Sequence, residues 1–183
     1  VHFDISSDFS SSYSNLLNSS EDFEDVFVVD SRNLSTGIGL MIIEAAIMAQ
    51  EGKSAKEIAE YITKLRPMVR SSFVVDTLTY LHRGGRCSSV AALAGGMLKL
   101  HPRIAVNGGK MEAGKKYRGK MSKVVLEYVK DMEEALLNAE PEQVFITHAG
   151  IDPEITAGSA TSNFYGRTAP FERIFSFGVQ LTM

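Results

Sequence analysis

Two short apolar β-runs, each followed by a serine- or aspartate-rich turn and then by helical periodicity, leave the first third of this 183-residue chain few folds to adopt. Residues 1–5 run into a serine-rich segment at 6–15, and residues 26–29 are closed by Asp30-Ser31-Arg32. Serine and aspartate after a strand are helix N-cap residues, because their side-chain oxygens accept orphan backbone N–H groups. Over residues 35–50, apolar side chains (Ile38, Leu40, Met41, Ile42, Ile43, Ala45, Ala46, Ile47, Met48) crowd nearly every face, which predicts a buried helix. Gly52 ends it. Ser54-Ala55-Lys56-Glu57 is a capping box that opens a second, amphipathic helix to about Leu65, with Pro67 just beyond. Strand, helix, strand and helix at this spacing predict a parallel α/β layer.

After Pro67 the rhythm changes. Phe73-Val74-Val75 reads as a strand and residues 78–82 as a short helix. Ser88 or Ser89 caps a helix rich in alanine and glycine, to about Leu98. Residues 103–106 and 110–113 flank Asn107-Gly108, a type I′ hairpin signal. A long helix is expected from about 120 to 137 and a strand at 144–147. Asp152-Pro153 looks like another helix start. The expected fold class is α/β: a partial parallel layer at residues 1–66, then an α+β domain at 67–183 with a largely antiparallel sheet and packed helices. A chain that opens on a strand without a methionine is expected to be part of a longer one.

Composition excludes several function classes. A net charge of −3 argues against bulk nucleic-acid binding. The single cysteine, Cys87, allows no internal disulfide and lies in no ligand pattern, so no metal is expected. No apolar run approaches the roughly 18 residues that span a bilayer, and no leader pattern is present. The cytoplasm is the expected compartment. The Gly109–Lys116 stretch imitates a phosphate-binding loop, but it lies on a hairpin and lacks the following Ser/Thr. His148 has no nucleophile at motif spacing, and His82 and His101 read as surface or capping groups. No catalytic residue and no cofactor is expected.

Gly84-Gly85-Arg86 follows the short helix. The glycines permit a left-handed helix stop and leave the Arg86 guanidinium on an exposed corner, suited to a carboxylate or phosphate. A plain helix stop with a solvated arginine accounts for the same residues.

These blocks in order resemble the DegV family of bacterial fatty-acid-binding proteins, which includes the lipid-carrying subunit of fatty acid kinase. Ile5-Ser6-Ser7-Asp8-Phe9-Ser10-Ser11-Ser12-Tyr13 resembles the family's Ile-Ser-Ser-Gly-Leu-Ser-Gly-Thr-Tyr. Asp30-Ser31-Arg32-Asn33-Leu34-Ser35-Thr36-Gly37-Ile38-Gly39 resembles its Asp-Ser-(Arg/Lys)-x-x-Ser-x-Gly-x-Gly block. Val74-Val75-Asp76-Thr77-Leu78-Thr79-Tyr80-Leu81 with Arg83-Gly84-Gly85-Arg86 is close to its most recognisable segment, and Gly109-Lys110-Met111-Glu112 with Tyr117-Arg118-Gly119 resembles another. The likeness runs from about Ile5 to Gly150. The family's N-terminal section, with its Asp-Ser-Thr and Thr-Ser-x-Pro segments, and its closing Gly-x-His-x-Gly-x-Gly stretch have no counterpart here.

The resemblance implies a long-chain fatty acid as ligand and a separate fatty acid kinase as partner, with the chain itself not an enzyme. It implies a carboxylate-binding residue within 6–10, with Ser6 in the turn and Ser7 and Ser10 the leading candidates. The tunnel for the acyl chain is expected along residues 73–75 and the small residues Ala91, Ala92, Ala94, Gly95 and Gly96. Arg86 and Arg118 match the family's two partner-facing arginines, and Lys110, Lys115, Lys116, Lys120 and Lys123 add a basic stripe. No nucleic acid and no membrane span is expected; transient contact with a membrane surface is compatible with the reading. The rival is a small phosphate-handling enzyme that uses the basic cluster at residues 110–123.

Overall fold

The computed structural model describes residues 1–86, 100–138, 144–149 and 174–180. Strand β1 (His2–Asp4) pairs in parallel with β2 (Val28–Asp30), and α1 (Ser12–Ser19) lies between them in the chain. Helix α2 (Ser35–Gln50) has the expected bounds. Helix α3 (Ala55–Leu65) opens on the predicted capping box: Glu57 N–H donates to Ser54 Oγ, and Ser54 N–H donates to Glu57 Oε2 at 2.8 Å. A 3₁₀ turn (Arg66–Met68) containing Pro67 stops it.

Leu40, Met41 and Ala45 of α2 pack with Ile58, Ala59, Ile62 and Leu65 of α3, and with Val29 and Val69. Each large aliphatic side chain buried here contributes about 1.5–3 kcal/mol. The expectation that α2 is buried all round needs correction. Ile42, Ile43 and Ile47 are 46%, 43% and 40% exposed. A helix laid on one layer buries one stripe, and among the described residues no second layer covers the other side.

The larger sheet has the order β5-β4-β3-β7-β6. Its central strand β3 (Val69–Val75) pairs antiparallel with β4 (Leu100–Asn107), which pairs antiparallel with β5 (Lys110–Arg118). On its other side β3 pairs in parallel with β7 (Ile174–Gln180), and β7 with β6 (Val144–Ala149). The antiparallel half therefore arises from the hairpin read in the sequence, and the parallel half from a strand in a region to which the sequence reading gave no element. A short helix α4 (Thr79–Gly84) follows β3 and ends at Gly85, whose φ of 66° is the expected left-handed stop. The expected helix from 88 to 98, Cys87 and Asp152-Pro153 lie outside the described residues.

The hairpin turn is displaced by one residue. Asn107 pairs with Lys110, so the two loop residues are Gly108 and Gly109, both at positive φ (55° and 91°). Two glycines adopt this geometry without a Cβ penalty. Asn107 stays in the strand, and its side chain donates to Glu112 Oε2 at 2.8 Å. His101 is also corrected. It is 4% exposed within β4, with Nδ1 3.0 Å from the Val75 carbonyl and Nε2 3.2 Å from that of Gly119. Because β4 begins earlier than expected, the residue falls on a covered strand.

Helix α5 (Met121–Leu137) packs Val124, Val125, Tyr128 and Met132 onto Val74 and Tyr117 of the sheet. Tyr117 and Tyr128 meet edge to face, 6.3 Å between ring centres, and burial pushes both phenols well above their ordinary range. Tyr117 Oη donates to Asp131 Oδ2 at 2.8 Å, and Lys115 pairs with the same oxygen. Hydrogen bonding to Lys115 first, and to Tyr117 after it, outweighs burial and holds the Asp131 carboxyl below its ordinary value of 3.8. The folded state thus binds this proton less readily than the unfolded state. Its stabilisation is present above the ordinary carboxylate range and disappears as pH falls through the lowered folded value. Asp131→Asn should cost about 1 kcal/mol at neutral pH and almost nothing in strong acid, measured by urea unfolding. An equal cost at both pH values would mean that charge contributes nothing there.

Among the described residues, no helix is long and apolar enough to cross a membrane.

Candidate functional site

The serine-rich segment leaves β1 as a tight turn, and almost every polar atom in it is used. Ser6 is fully buried. Its N–H donates to the Asn33 carbonyl at 2.9 Å, its hydroxyl donates to the Gly109 carbonyl at 2.8 Å, and its Oγ accepts from Asp8 N–H. Ser6 therefore ties the first strand pair to the tip of the β4–β5 hairpin. Gly109 makes that approach possible, since a Cβ at this position would lie 2.6 Å from Ser6 Oγ.

Asp30, 8% exposed at the end of β2, organises the other side of the turn. Its Oδ1 accepts from the backbone N–H of Ser7 (3.2 Å) and of Arg32 (2.9 Å), and its Oδ2 accepts from Ser7 Oγ at 2.7 Å. Arg32, held at a φ of 50°, sends Nη1 to Asp8 Oδ2 at 2.7 Å and to Ser7 Oγ at 3.2 Å. Lys110 approaches the other Asp8 oxygen at 3.7 Å. A non-glycine residue in the left-handed region costs on the order of 1 kcal/mol, and here the Asp30 hydrogen bond offsets it. Behind Arg32, Asn33 Nδ2 donates to the Val69 carbonyl at 3.0 Å and Asn33 Oδ1 accepts from Ser71 Oγ at 2.7 Å.

Of the three candidate serines, the hydroxyl protons of Ser6 and Ser7 are committed to Gly109 and Asp30. Ser10 is different. Its Oγ accepts from Ser12 N–H at 3.1 Å, which leaves its own proton to donate. It sits just before α1, whose first-turn N–H groups have no intrahelical acceptors. An anion placed there would meet a hydroxyl, free amides and the positive end of a short helix. The expected capping at α1 is correspondingly indirect: Ser11 at the N-cap makes no side-chain bond, and Ser12 Oγ donates to Asp4 Oδ1 at 2.7 Å.

Arg86 is brought to the same place. Its guanidinium folds back on the Gly84 carbonyl, and Nε donates to the Phe9 carbonyl at 3.4 Å, one residue before Ser10. Arg118 is not brought there. It closes β5, eight residues from Lys110, or about 26 Å along an extended strand. Between α4 and β5, Phe73, Val75 and Ile104 form a buried apolar cluster with Leu78, Leu81, Met111 and Ala113. The small residues expected to complete a tunnel, Ala91 to Gly96, lie outside the described residues. Two cavities formed by the described residues, one beside Arg103 and one beside Ile42, are lined by none of Ser6, Ser7 and Ser10.

Sequence reasoning gave no role to Asp30, Arg32, Asn33 or the Gly109 carbonyl. The Asp-Ser-Arg-Asn run after a strand was the available signal for the first three; the hairpin contact has none in the local sequence.

Comparison with known proteins follows the same blocks. A DegV domain-containing protein of Clostridium acetobutylicum is 37% identical over 129 residues, 66% of this chain and 46% of that protein. One from Clostridium perfringens is 32% identical over 126 residues, 68% of this chain and 43% of that protein. The chain thus spans about half the length of the curated relatives it matches. Among solved structures, a DegV family protein from Thermus thermophilus described for its fatty acid binding superposes with a TM-score of 0.69 at 26% identity, covering 95% of this chain and 61% of that one. A stearic acid-binding protein from Eubacterium ventriosum gives 0.61 at 28% identity, covering 75% and 50%. The family model described as "Uncharacterised protein, DegV family" matches residues 1–166, further toward the C-terminus than the motifs alone reached. On that match, over most of its length, the chain belongs to the DegV family.

Proposed function

We propose that this chain binds a long-chain fatty acid and presents the carboxylate to a separate fatty acid kinase, without being an enzyme itself, in the cytoplasm. The observation that carries the reading is the rim formed by Ser10, the start of α1 and Arg86, joined through Phe9, with α4 just ahead of Arg86 packing Leu81 on an apolar sheet face. The relatives from Thermus thermophilus and Eubacterium ventriosum, described as binding fatty acids, support the ligand class. In this reading residues 1–66 carry the head-group turn and residues 67–183 house the acyl chain. Each methylene buried there would contribute about 0.8 kcal/mol. Ser10 holds the carboxylate, Ser6 and Ser7 hold the turn, and Arg86 and Arg118 face the kinase. The rival phosphate-handling enzyme has less support, because Lys110, Lys115 and Lys123 lie against Asp8, Asp131 and Glu127.

Protein made in bacteria, extracted under denaturing conditions and analysed by mass spectrometry, should yield one long-chain acid per chain. Ser10→Ala should weaken retention about tenfold or more, since a hydrogen bond to a charged group is worth about 1.5–3 kcal/mol. Arg86→Ala should leave the lipid in place and lower acyl phosphate formation by the added kinase. Absence of any lipid, or ATP turnover by the chain alone, would sink the proposal.

A further inference from the structure

The face of the large sheet covered by α5 holds a second constellation that the fatty-acid reading does not use. A cavity of about 600 Å³ opens between α5, β3, the β4–β5 hairpin and the 3₁₀ turn, and four arginines line it: Arg32, Arg66, Arg70 and Arg103. That volume lies within the range of small-molecule sites. Among the described residues of the wall the one carboxylate, Asp131, is already engaged by Lys115 and Tyr117.

Arg103 is the inner member. The β4–β5 register shifts between Pro102 and Ile104, so Arg103 sits at a bulge, the kind of irregularity that re-aims a side chain. Its Nη1 reaches only the Met132 sulfur, at 3.5 Å, and its buried Nε finds no hydrogen-bond acceptor among the described residues. A buried guanidinium N–H without an acceptor is costly and calls for a partner. Arg66 adds a second positive charge: its Nη1 donates to a neutral acceptor, the Asp30 carbonyl at 2.8 Å. Neither Arg66 nor Arg103 forms an ion pair among the described residues. Ala105, Met132 and Ala135 supply apolar wall between them.

We infer that this cavity is a binding site for a small organic phosphate, with Arg103 gripping the phosphoryl oxygens from inside and Arg66 and Arg70 at the mouth. Planar guanidinium groups present paired donors that match phosphate oxygens, and several around one cavity suit a diphosphate better than a single carboxylate. The apolar wall accommodates the organic body. The site lies on the opposite sheet face from Phe73, Val75 and Ile104, so it stands independently of the fatty-acid proposal.

The test is calorimetric titration of the full chain with inorganic pyrophosphate and with adenosine diphosphate. Saturable binding of at least one probe is expected, weakened about tenfold or more in Arg103→Met, which removes charged hydrogen bonds but keeps a long apolar side chain. Ala135→Phe keeps every arginine and puts a ring into the part of the cavity beside Met132, so it should weaken binding comparably, and it serves if Arg103→Met fails to fold. Bound fatty acid should stay unchanged in both variants. No saturable binding of either probe, or undiminished binding in the Ala135→Phe variant, would overturn the inference.

Discussion

Gly109→Ala should destabilise the protein by about 2–4 kcal/mol, several times more than the same change at the neighbouring glycine. Both residues form the hairpin loop and both have positive φ, 55° at Gly108 and 91° at Gly109. Their surroundings differ. Nothing lies within 4 Å of a Cβ built on Gly108, whereas one on Gly109 would meet Ser6 Oγ at 2.6 Å, Asp8 Oδ2 at 3.0 Å and Arg32 Nε at 3.1 Å. Gly108→Ala therefore carries only the backbone term, about 1 kcal/mol. The alanine at 109 must in addition push the serine turn off the hairpin, breaking the bond from Ser6 to the Gly109 carbonyl. Urea unfolding of the two variants separates the contributions. Equal costs would show that the contact between turn and hairpin stabilises nothing. In the proposed function the displaced turn also carries Ser10, so lipid retention should fall in the Gly109 variant and hold in the Gly108 variant.

The second large effect is expected at Asp30. Replacement by alanine leaves the N–H groups of Ser7 and Arg32 and the Ser7 hydroxyl without their acceptor, in a place that is 8% exposed. Donors stranded this way cost about 1–3 kcal/mol each when they stay dry. Relaxation toward water reduces the sum, so about 2–4 kcal/mol is expected for Asp30→Ala. Asp30→Asn keeps Oδ1 for both backbone donors and loses the acceptor for Ser7 Oγ and the 3.7 Å ion pair of Oδ2 with the half-exposed Arg32 guanidinium, so its cost should be nearer ~1 kcal/mol. Chemical denaturation orders the three proteins. If asparagine proves as harmful as alanine, the negative charge beside Arg32, and not the set of hydrogen bonds, holds the turn.

Sequence patterns located the elements well where the signal is local. The capping box at Ser54 and Glu57, the bounds of α2 and the left-handed stop at Gly85 each depend on a few neighbouring residues and on backbone chemistry that does not change with context. Burial was less legible. The isoleucines of α2 looked like core because hydrophobicity was counted around the helix, yet one side of α2 meets no other layer among the described residues. His101 looked peripheral for the converse reason: the end of β3 and the loop after β5, both distant in sequence, provide the two carbonyls around it.

The candidate site divides in the same way. The amino-acid order alone determined that a serine-rich turn follows a strand, that a glycine stop precedes Arg86, and that the motifs resemble one family. Tertiary structure decided which hydroxyls remain available. Ser6 and Ser7 give their protons to Gly109 and Asp30, residues 103 and 23 positions away, whereas among the described residues Ser10 only accepts, from Ser12 N–H. It also decided that Arg86 joins this rim while Arg118 stands at the far end of β5, and that Arg103 turns inward at a bulge. The physical reason is common to all of these. A hydroxyl or guanidinium has a few bonds to distribute, and the partners that claim them come from segments that only folding brings within 3 Å or so.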